Sequence, residues 1–374
     1  MTISCLQENL QRGLQFVSHI SSREQHLPIL STILLKTHEG LITLHATNLE
    51  LGASCSIRGK IEKEGSIAVP AKIFTDYISL LPKEKITIEV HDDYTLHITC
   101  HTYSTKILGM NPDEFPLMPN IESPRTLKCQ SAALKKSLQQ TLFTVSANES
   151  KQELSGVLFS LTPQLKKLTL VGTDAYRLAE TTLILESAPD EDDAFIMPLR
   201  SAQEIARTLG VDVSGKAQIE WNDHQISFSC DTYHLISKRI QGTYPDYTQI
   251  IPQSFTTKIV LSVDECIKAT KTTSLFSKST LSDIHIKCLT TNRDQGRILL
   301  SSSNATCGES NVQLECEVRG DENDITLNYH YFLDGLQALE SKKALLTIID
   351  NANPCILKPL EGEGYQYLIM PIRQ

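Results

Sequence analysis

Apolar positions along the chain fall into two spacings that keep recurring. Leu6, Leu10, Leu14 and Val17 follow i, i+4, i+8, i+11, as do Leu134, Leu138, Leu142 and Val145, and each set predicts one buried helix face. A third set begins at Ser262, keeps Val263 and Ile267, and lapses at Lys271 and Ser274, while Ser262 and Glu265 have capping-box spacing. Stretches rich in β-branched residues, such as 33–36 and 42–45, predict strands. A second helix is expected after Pro70, Pro198 and Asn328, because proline suits a helix start. Strand pairs follow at 85–90 with 95–99, 217–221 with 225–229, and 345–349 with 355–357, and Gly362 to Gly364 reads as a hairpin turn.

The same blocks return in the same order. Ile42 to Asn48, Leu168 to Asp174 and Ile298 to Asn304 share the pattern [IL]-x-L-x-[AGS]-[TS]-[ND], at offsets of 126 and 130. The blocks at Leu30, Leu154 and Leu281 are 124 and 127 apart, and those at Val69, Met197 and Leu327 are 128 and 130 apart. This period far exceeds the roughly 20–50 residues of solenoid repeats, so each copy is read as a whole domain. Proline-punctuated linkers, Pro112 to Pro119 and Pro245 to Pro252, separate the copies. The expectation is three similar α+β domains, 1–120, 121–252 and 253–374, each with two helices packed on β-sheets and about eight strands in all.

Composition narrows the function. The chain has 374 residues, 40% of them hydrophobic, and a net charge of −9, which argues against coating nucleic acid through a general basic surface. A protein that surrounds DNA needs only a basic lining, and the six helical windows sum to about +2 against about −11 elsewhere. No run approaches the roughly 18 apolar residues of a membrane span, and the first ten residues lack signal-peptide character, so a cytoplasmic location is expected. Ten scattered cysteines without a Cys-x-x-Cys pair read as buried small hydrophobes. His97, Thr99 and His101 share a strand face, but no further ligand is near in sequence, and no metal or other cofactor is expected. Phosphate-loop, zinc-protease and nucleophile-elbow motifs are missing. Two classes stay open at this point: a topological DNA binder, and a triplicated enzyme or metabolite-binding protein with its site at a domain junction.

The runs Gly172 to Ala179, Tyr244 to Tyr247 and Leu368 to Arg373 carry a resemblance to the bacterial DNA sliding clamps, the beta subunits of DNA polymerase III. It extends over the whole chain. The resemblance implies the DNA clamp fold, a head-to-tail homodimer closed into a ring around double-stranded DNA, and a processivity factor without catalysis. Implied partners are the polymerase III alpha subunit, the clamp loader and other proteins carrying clamp-binding peptides, with no membrane. Carried over by position, a pocket for those peptides is walled by Leu154, Thr173, Ala175, Tyr176, Arg177, Leu178, Pro245, Ile250, Pro354, Leu368, Met370, Pro371, Ile372 and Arg373. Ala175 stands where the family often has glycine. The same apolar residues also suit an ordinary C-terminal strand and core.

Candidate DNA contacts are Arg23, Lys72, Lys135, Lys136, Asn148, Lys151, Gln152, Arg200, Arg207, Lys268 and Lys271, though solvated helix faces account equally for any single lysine. Glu24, where the family often has arginine, puts the first domain's contact in doubt. The ring-closing interface is assigned to Tyr103, Thr105 and Ile107 with Leu275 and Phe276, the last two being equally readable as core.

Overall fold

The computed structural model describes residues 1–21, 27–146, 151–210, 215–277, 282–292, 295–362 and 364–373. Arg23 and Asn148 lie outside them, as do Glu24, Leu281 and Glu363. The described residues hold six α-helices: α1 (Gln7–Ser18), α2 (Ala71–Leu80), α3 (Ser131–Thr141), α4 (Leu199–Thr208), α5 (Val263–Ser274) and α6 (Tyr329–Ala338). Two fall in each expected third of the chain.

The strands form three sheets. One has five strands in the order Gly59–Lys63, Thr2–Leu6, Lys85–Val90, Thr95–Cys100, Tyr103–Leu108. A second has eight: Arg125–Gln130, Lys216–Trp221, Gln225–Cys230, Tyr233–Lys238, Leu51–Ile57, Leu41–Thr47, Thr32–His38, Gly65–Pro70. The third has twelve: Asp193–Pro198, Gly156–Thr162, Lys167–Thr173, Arg177–Ile184, Tyr365–Ile369, Cys355–Pro359, Lys343–Ile348, Thr257–Ser262, Gly308–Gly320, Gln295–Asn304, Asp283–Asn292, Asn323–Asn328. All strand pairs are antiparallel. Two compact units divide the chain. Unit one, residues 1–132, 186–189 and 204–239, holds the first two sheets, and unit two, residues 133–185, 190–203 and 240–374, holds the third. The middle repeat therefore gives one strand group to a sheet shared with the first repeat, and the other to a sheet shared with the last.

The recurring [TS]-[ND] motif has a local cause. Thr47 Oγ1 accepts from Leu49 N at 3.1 Å, and Asn48 Oδ1 from Glu50 N and Leu51 N at 3.1 and 2.8 Å. Thr173 and Asp174 repeat this with Ala175, Tyr176 and Arg177, and Asn304 Oδ1 accepts from Thr306 N. The side chains supply the turn's hydrogen bonds and so fix each hairpin. Leu49 and Ala175 occupy equivalent left-handed positions, φ +74° and +75°, which is where glycine costs least.

Several local expectations are corrected. Leu6 ends a strand and is exposed; the helix starts at Gln7, whose buried amide donates to Ile78 O at 2.7 Å. α3 stops at Thr141, and Leu142–Thr144 forms a 3₁₀ turn in which Thr144 Oγ1 donates to Thr141 O. Ser262 makes no side-chain cap. The first N–H of α5 instead donates to Lys342 O at 3.0 Å, as those of α1 and α3 donate to Glu84 O and Gly215 O, so a distant carbonyl takes the capping role. Eight of the ten cysteines are buried, while Cys307 is exposed and Cys316 partly so.

In unit two, α5 and α6 pack together over a core that includes Ile259, Leu261, Ile284, Ile298, Phe332, Leu336 and Tyr367. Each such side chain contributes about 2–3 kcal/mol by burial. Gly335 lets α6 approach Tyr367, whose ring atoms would lie 2.3 Å from an added Cβ. In unit one, α1 packs on α2 and on the strands Leu41–Thr47 and Leu51–Ile57. No helix is long and apolar enough to cross a membrane among the described residues.

Candidate functional site

Within unit two the strands Arg177–Ile184 and Tyr365–Ile369 pair with Arg177 opposite Ile369 and Leu178 opposite Leu368. The tail beyond is laid across the neighbouring turn: Met370 N donates to Tyr176 O and Ile372 N to Thr326 O, both at 2.8 Å. This brings the two separate sequence runs, 173–178 and 368–373, into one place. The floor beneath is a continuous apolar cluster of Leu154, Leu158, Val171, Leu178, Ile196, Tyr244, Ile356 and Leu368, with Tyr247 and Ile251 packed against it. Pro354 and Pro371 are buried, and Met370 and Ile372 half-buried. Ala175, Tyr176, Pro245, Ile250 and Arg373 are exposed around the rim. Of the apolar anchors, Leu178 and Leu368 are thus sealed floor, and Ile250 and Met370 are accessible.

Two wall residues are spent internally. Thr173 Oγ1 donates to Arg177 O at 2.6 Å. The Arg177 guanidinium donates to Asp174 Oδ2 at 3.0 Å, Asp334 Oδ2 at 2.5 Å and Phe143 O at 2.8 Å, and lies 4.3 Å from the Tyr331 ring centroid. A side chain 13% exposed with that many partners is a strut holding the turn on α6 rather than a free cation. Tyr244 and Tyr247, which the sequence singles out only as part of the hinge resemblance, were not assigned to the pocket, because tyrosines beside a linker proline carry no periodicity.

The candidate DNA contacts separate similarly. Lys72, Lys136, Lys151, Gln152, Arg200, Lys268 and Lys271 are exposed and Lys135 half-buried. Lys136 is nevertheless paired with Glu340 at 2.8 Å. Arg207 pairs with Glu204 at 2.7 Å and donates to Phe16 O at 2.9 Å, joining α4 to the end of α1. Arg12, one of the cations in the first helical window, shares a recess of about 340 Å³ with Arg58, a neighbour that only helix-on-sheet packing brings to it.

The third set of residues divides between an edge strand and the end of α5, where Leu275 and Phe276 follow the last helical turn. Tyr103–Leu108 is the last strand of its sheet, with Tyr103 50% and Leu108 75% exposed, Thr105 half-buried and Ile107 buried. Leu275 is 76% exposed, which excludes the core reading for it within this chain. Ile73 and Leu80 on α2 are also exposed, and Tyr77 lies between them. No group of three or more possible metal ligands occurs among the described residues, and the His97 ring lies against that of His91, tilted by 46° with centroids 4.2 Å apart.

Family models for the N-terminal, central and C-terminal domains of the DNA polymerase III beta subunit match residues 1–119, 128–246 and 248–373 in turn. The chain belongs to this family. Curated relatives include the beta sliding clamp of Synechococcus elongatus, 29% identical over 380 residues and covering 100% of this chain and 99% of the relative. The Chlamydia pneumoniae beta sliding clamp is 27% identical over 347 residues, covering 93% and 92%. Among solved structures, a putative beta subunit from Eubacterium rectale is 25% identical with TM-score 0.90, covering 100% of both chains. A sliding clamp from Pseudomonas aeruginosa bound to griselimycin reaches TM-score 0.94 at 22% identity, again over 100% of both, and speaks to fold alone. The chain is accordingly a non-catalytic processivity subunit of the replicative polymerase, and the reading as a triplicated enzyme falls away.

Proposed function

We propose that two copies of the chain close head to tail into a ring around duplex DNA, with the three domains bounded at 120/121 and 252/253. The carrying observation is a junction that occurs twice within the chain. Tyr233–Lys238 of the middle repeat pairs with Leu51–Ile57 of the first, placing Tyr233 opposite Cys55 and Ile236 opposite Gly52. Tyr365–Ile369 of the last repeat pairs with Arg177–Ile184 of the middle one in the same register, Tyr365 opposite Thr181 and Leu368 opposite Leu178.

A third set of equivalent strands exists, and its members have no partner on that side among the described residues: Tyr103–Leu108 and the first part of Gly308–Gly320. Hairpin registers align them. Cys100 faces Tyr103 as Cys230 faces Tyr233, and Ser303 faces Glu309 as Thr47 faces Gly52. Extending the junction to a second copy sets Tyr103 opposite Val312, Thr105 opposite Ser310, Lys106 opposite Glu309 and Ile107 opposite Gly308. Opposite charges face each other in that register and in neither neighbouring one. Leu275 and Phe276 belong to the same contact; the Phe276 ring would lie 3.8 Å from a Cβ on Gly308. A heterologous contact that closes after two copies gives both of these strands a partner on their open side.

The duplex is held topologically, with Lys72, Lys135, Lys151, Gln152, Arg200, Lys268 and Lys271, together with Arg23 and Asn148, as weak phosphate contacts. Lys136 and Arg207 contribute less, being paired internally. Peptides of the polymerase alpha subunit, the clamp loader and other partners dock on Ile250, Met370 and Tyr176, reaching Leu178 and Leu368 as the rim opens. A cytoplasmic setting goes with this role. The test is retention: loaded protein should stay on nicked circular DNA in high salt and leave once it is linearised. Equal loss from both forms would refute encirclement, since phosphate contacts alone weaken equally with salt.

A further inference from the structure

The peptide site proposed above sits at the junction of the middle and last repeats, and the first junction has the same parts. Thr47, Leu49 and Leu51 stand where the second junction has Thr173, Ala175 and Arg177; Ile236 and Lys238 stand where it has Leu368 and Met370. These residues line a small recess of about 100 Å³. Its opening is narrowed by Met118 from the linker after the first repeat.

The methionine sits there because the residue beneath it is glycine. A Cβ on Gly52 would lie 2.6 Å from both Sδ and Cε of Met118. At the second junction the counterpart of Gly52 is Leu178, already part of the sealed floor. Met118 also walls a neighbouring recess of about 400 Å³, whose floor includes Leu34 and His45 and whose rim carries Leu117, 96% exposed. The counterparts of Leu34 and His45 are Leu158 and Val171, which Tyr244 and Tyr247 help to cover. So the linker of the first repeat leaves open space on the sheet and inserts one flexible side chain at the junction. The linker of the second repeat instead covers the sheet with Tyr244 and Tyr247.

We propose that the first junction is a second site for the same class of peptide, an extended segment with aliphatic anchors, kept shut by Met118 of the chain itself. Met118 supplies from within the apolar contact that a partner supplies at the other junction. A thioether is suited to this, being unbranched and able to fill an irregular gap. The proposal rests on the peptide-docking reading, and the experiment separates the two.

Calorimetry with a peptide taken from the polymerase alpha subunit is run on the intact dimer. Wild-type protein should bind one peptide per chain, and Met118→Ala should bind two. Met118→Ser serves as a second opening variant, and Met118→Leu should remain at one. Deleting residues 370–374 from the Met118→Ala protein should leave a single site. One peptide per chain in both opening variants, with wild type also at one, overturns the latent site and leaves the docking reading intact. No binding by wild type overturns the docking reading itself.

Discussion

Charge reversal at Lys106 tests ring closure at a single residue pair. In the register carried over from the two internal junctions, Lys106 faces Glu309 of a second copy directly, with Cα atoms about 4.5–5.5 Å apart. A cross-strand ion pair of this kind contributes about 0.2–1 kcal/mol, and like charges cost a similar amount. Lys106→Glu therefore shifts each interface by roughly 0.5–2 kcal/mol, and a two-interface ring by about 1–4 kcal/mol. That corresponds to a dimer Kd raised roughly five- to several-hundred-fold. Light scattering across a dilution series should move from twice 41.7 kDa toward the single chain at higher concentration than wild type. Adding Glu309→Lys should restore dimerisation, and high salt should shrink the difference.

The register itself can be trapped. Directly opposite Cα positions fall within the 4.4–6.8 Å range of disulfides, so Lys106→Cys with Glu309→Cys should yield a covalent dimer on mild oxidation. Lys106→Cys alone should not link to the exposed native Cys307, which is two positions out of register. Efficient crosslinking to position 308 or 310 in place of 309, or no rescue by the charge swap, would refute the inferred pairing.

Deleting residues 370–374 removes Met370 and the backbone bond from its N–H to Tyr176 O, and is expected to abolish peptide binding by calorimetry while leaving a dimer by light scattering. Gly335→Ala drives a Cβ to 2.3 Å from the fully buried Tyr367 ring, whose hydroxyl is tethered to Tyr331 O at 2.9 Å; a loss of about 1–3 kcal/mol should appear as a lower urea midpoint. Burial, with help from Lys36 and His234, holds the His45 imidazole down to about 4. Above roughly pH 6.5 both folded and unfolded states carry it neutral; as pH falls the unfolded chain is protonated first, so stability is lost between about 6.5 and 4. His45→Val, copying Val171, should remove up to about 3 kcal/mol of that acid sensitivity, read as the difference between midpoints at pH 7 and pH 4.5.

The repeats were legible because they rest on local chemistry. A Thr-Asn or Thr-Asp turn and a run of leucines four apart act within a few residues, so they survive in the sequence of each copy. Interactions between distant segments left no such trace. The capping box at Ser262 was displaced by a carbonyl 80 positions away in the chain, Lys342 O. Lys136 and Arg207 looked like free cations until Glu340 and the end of α1 were brought beside them. The third hairpin has one more residue in its turn than the other two, with Ser303 facing Glu309 where Thr47 faces Gly52. Counting motif offsets alone would therefore have set the ring-closing register wrong by one residue, and a one-residue slip inverts every side chain.

The pairing of Lys136 and Arg207 bears on how an acidic protein can work on DNA. A cation already satisfied by a carboxylate gains less from a phosphate, since the old contact must be given up. Helices that spend some cations internally keep each DNA contact shallow, and shallow contacts are what sliding needs, because a deep one would have to be broken at every step. Retention must then come from elsewhere. Two strand-to-strand junctions are fixed within each chain by the covalent backbone, whereas in the proposed ring the third is held by noncovalent contacts between copies alone. Opening should therefore occur there, where a modest change in a few pairs such as Lys106 with Glu309 alters closure without disturbing either core.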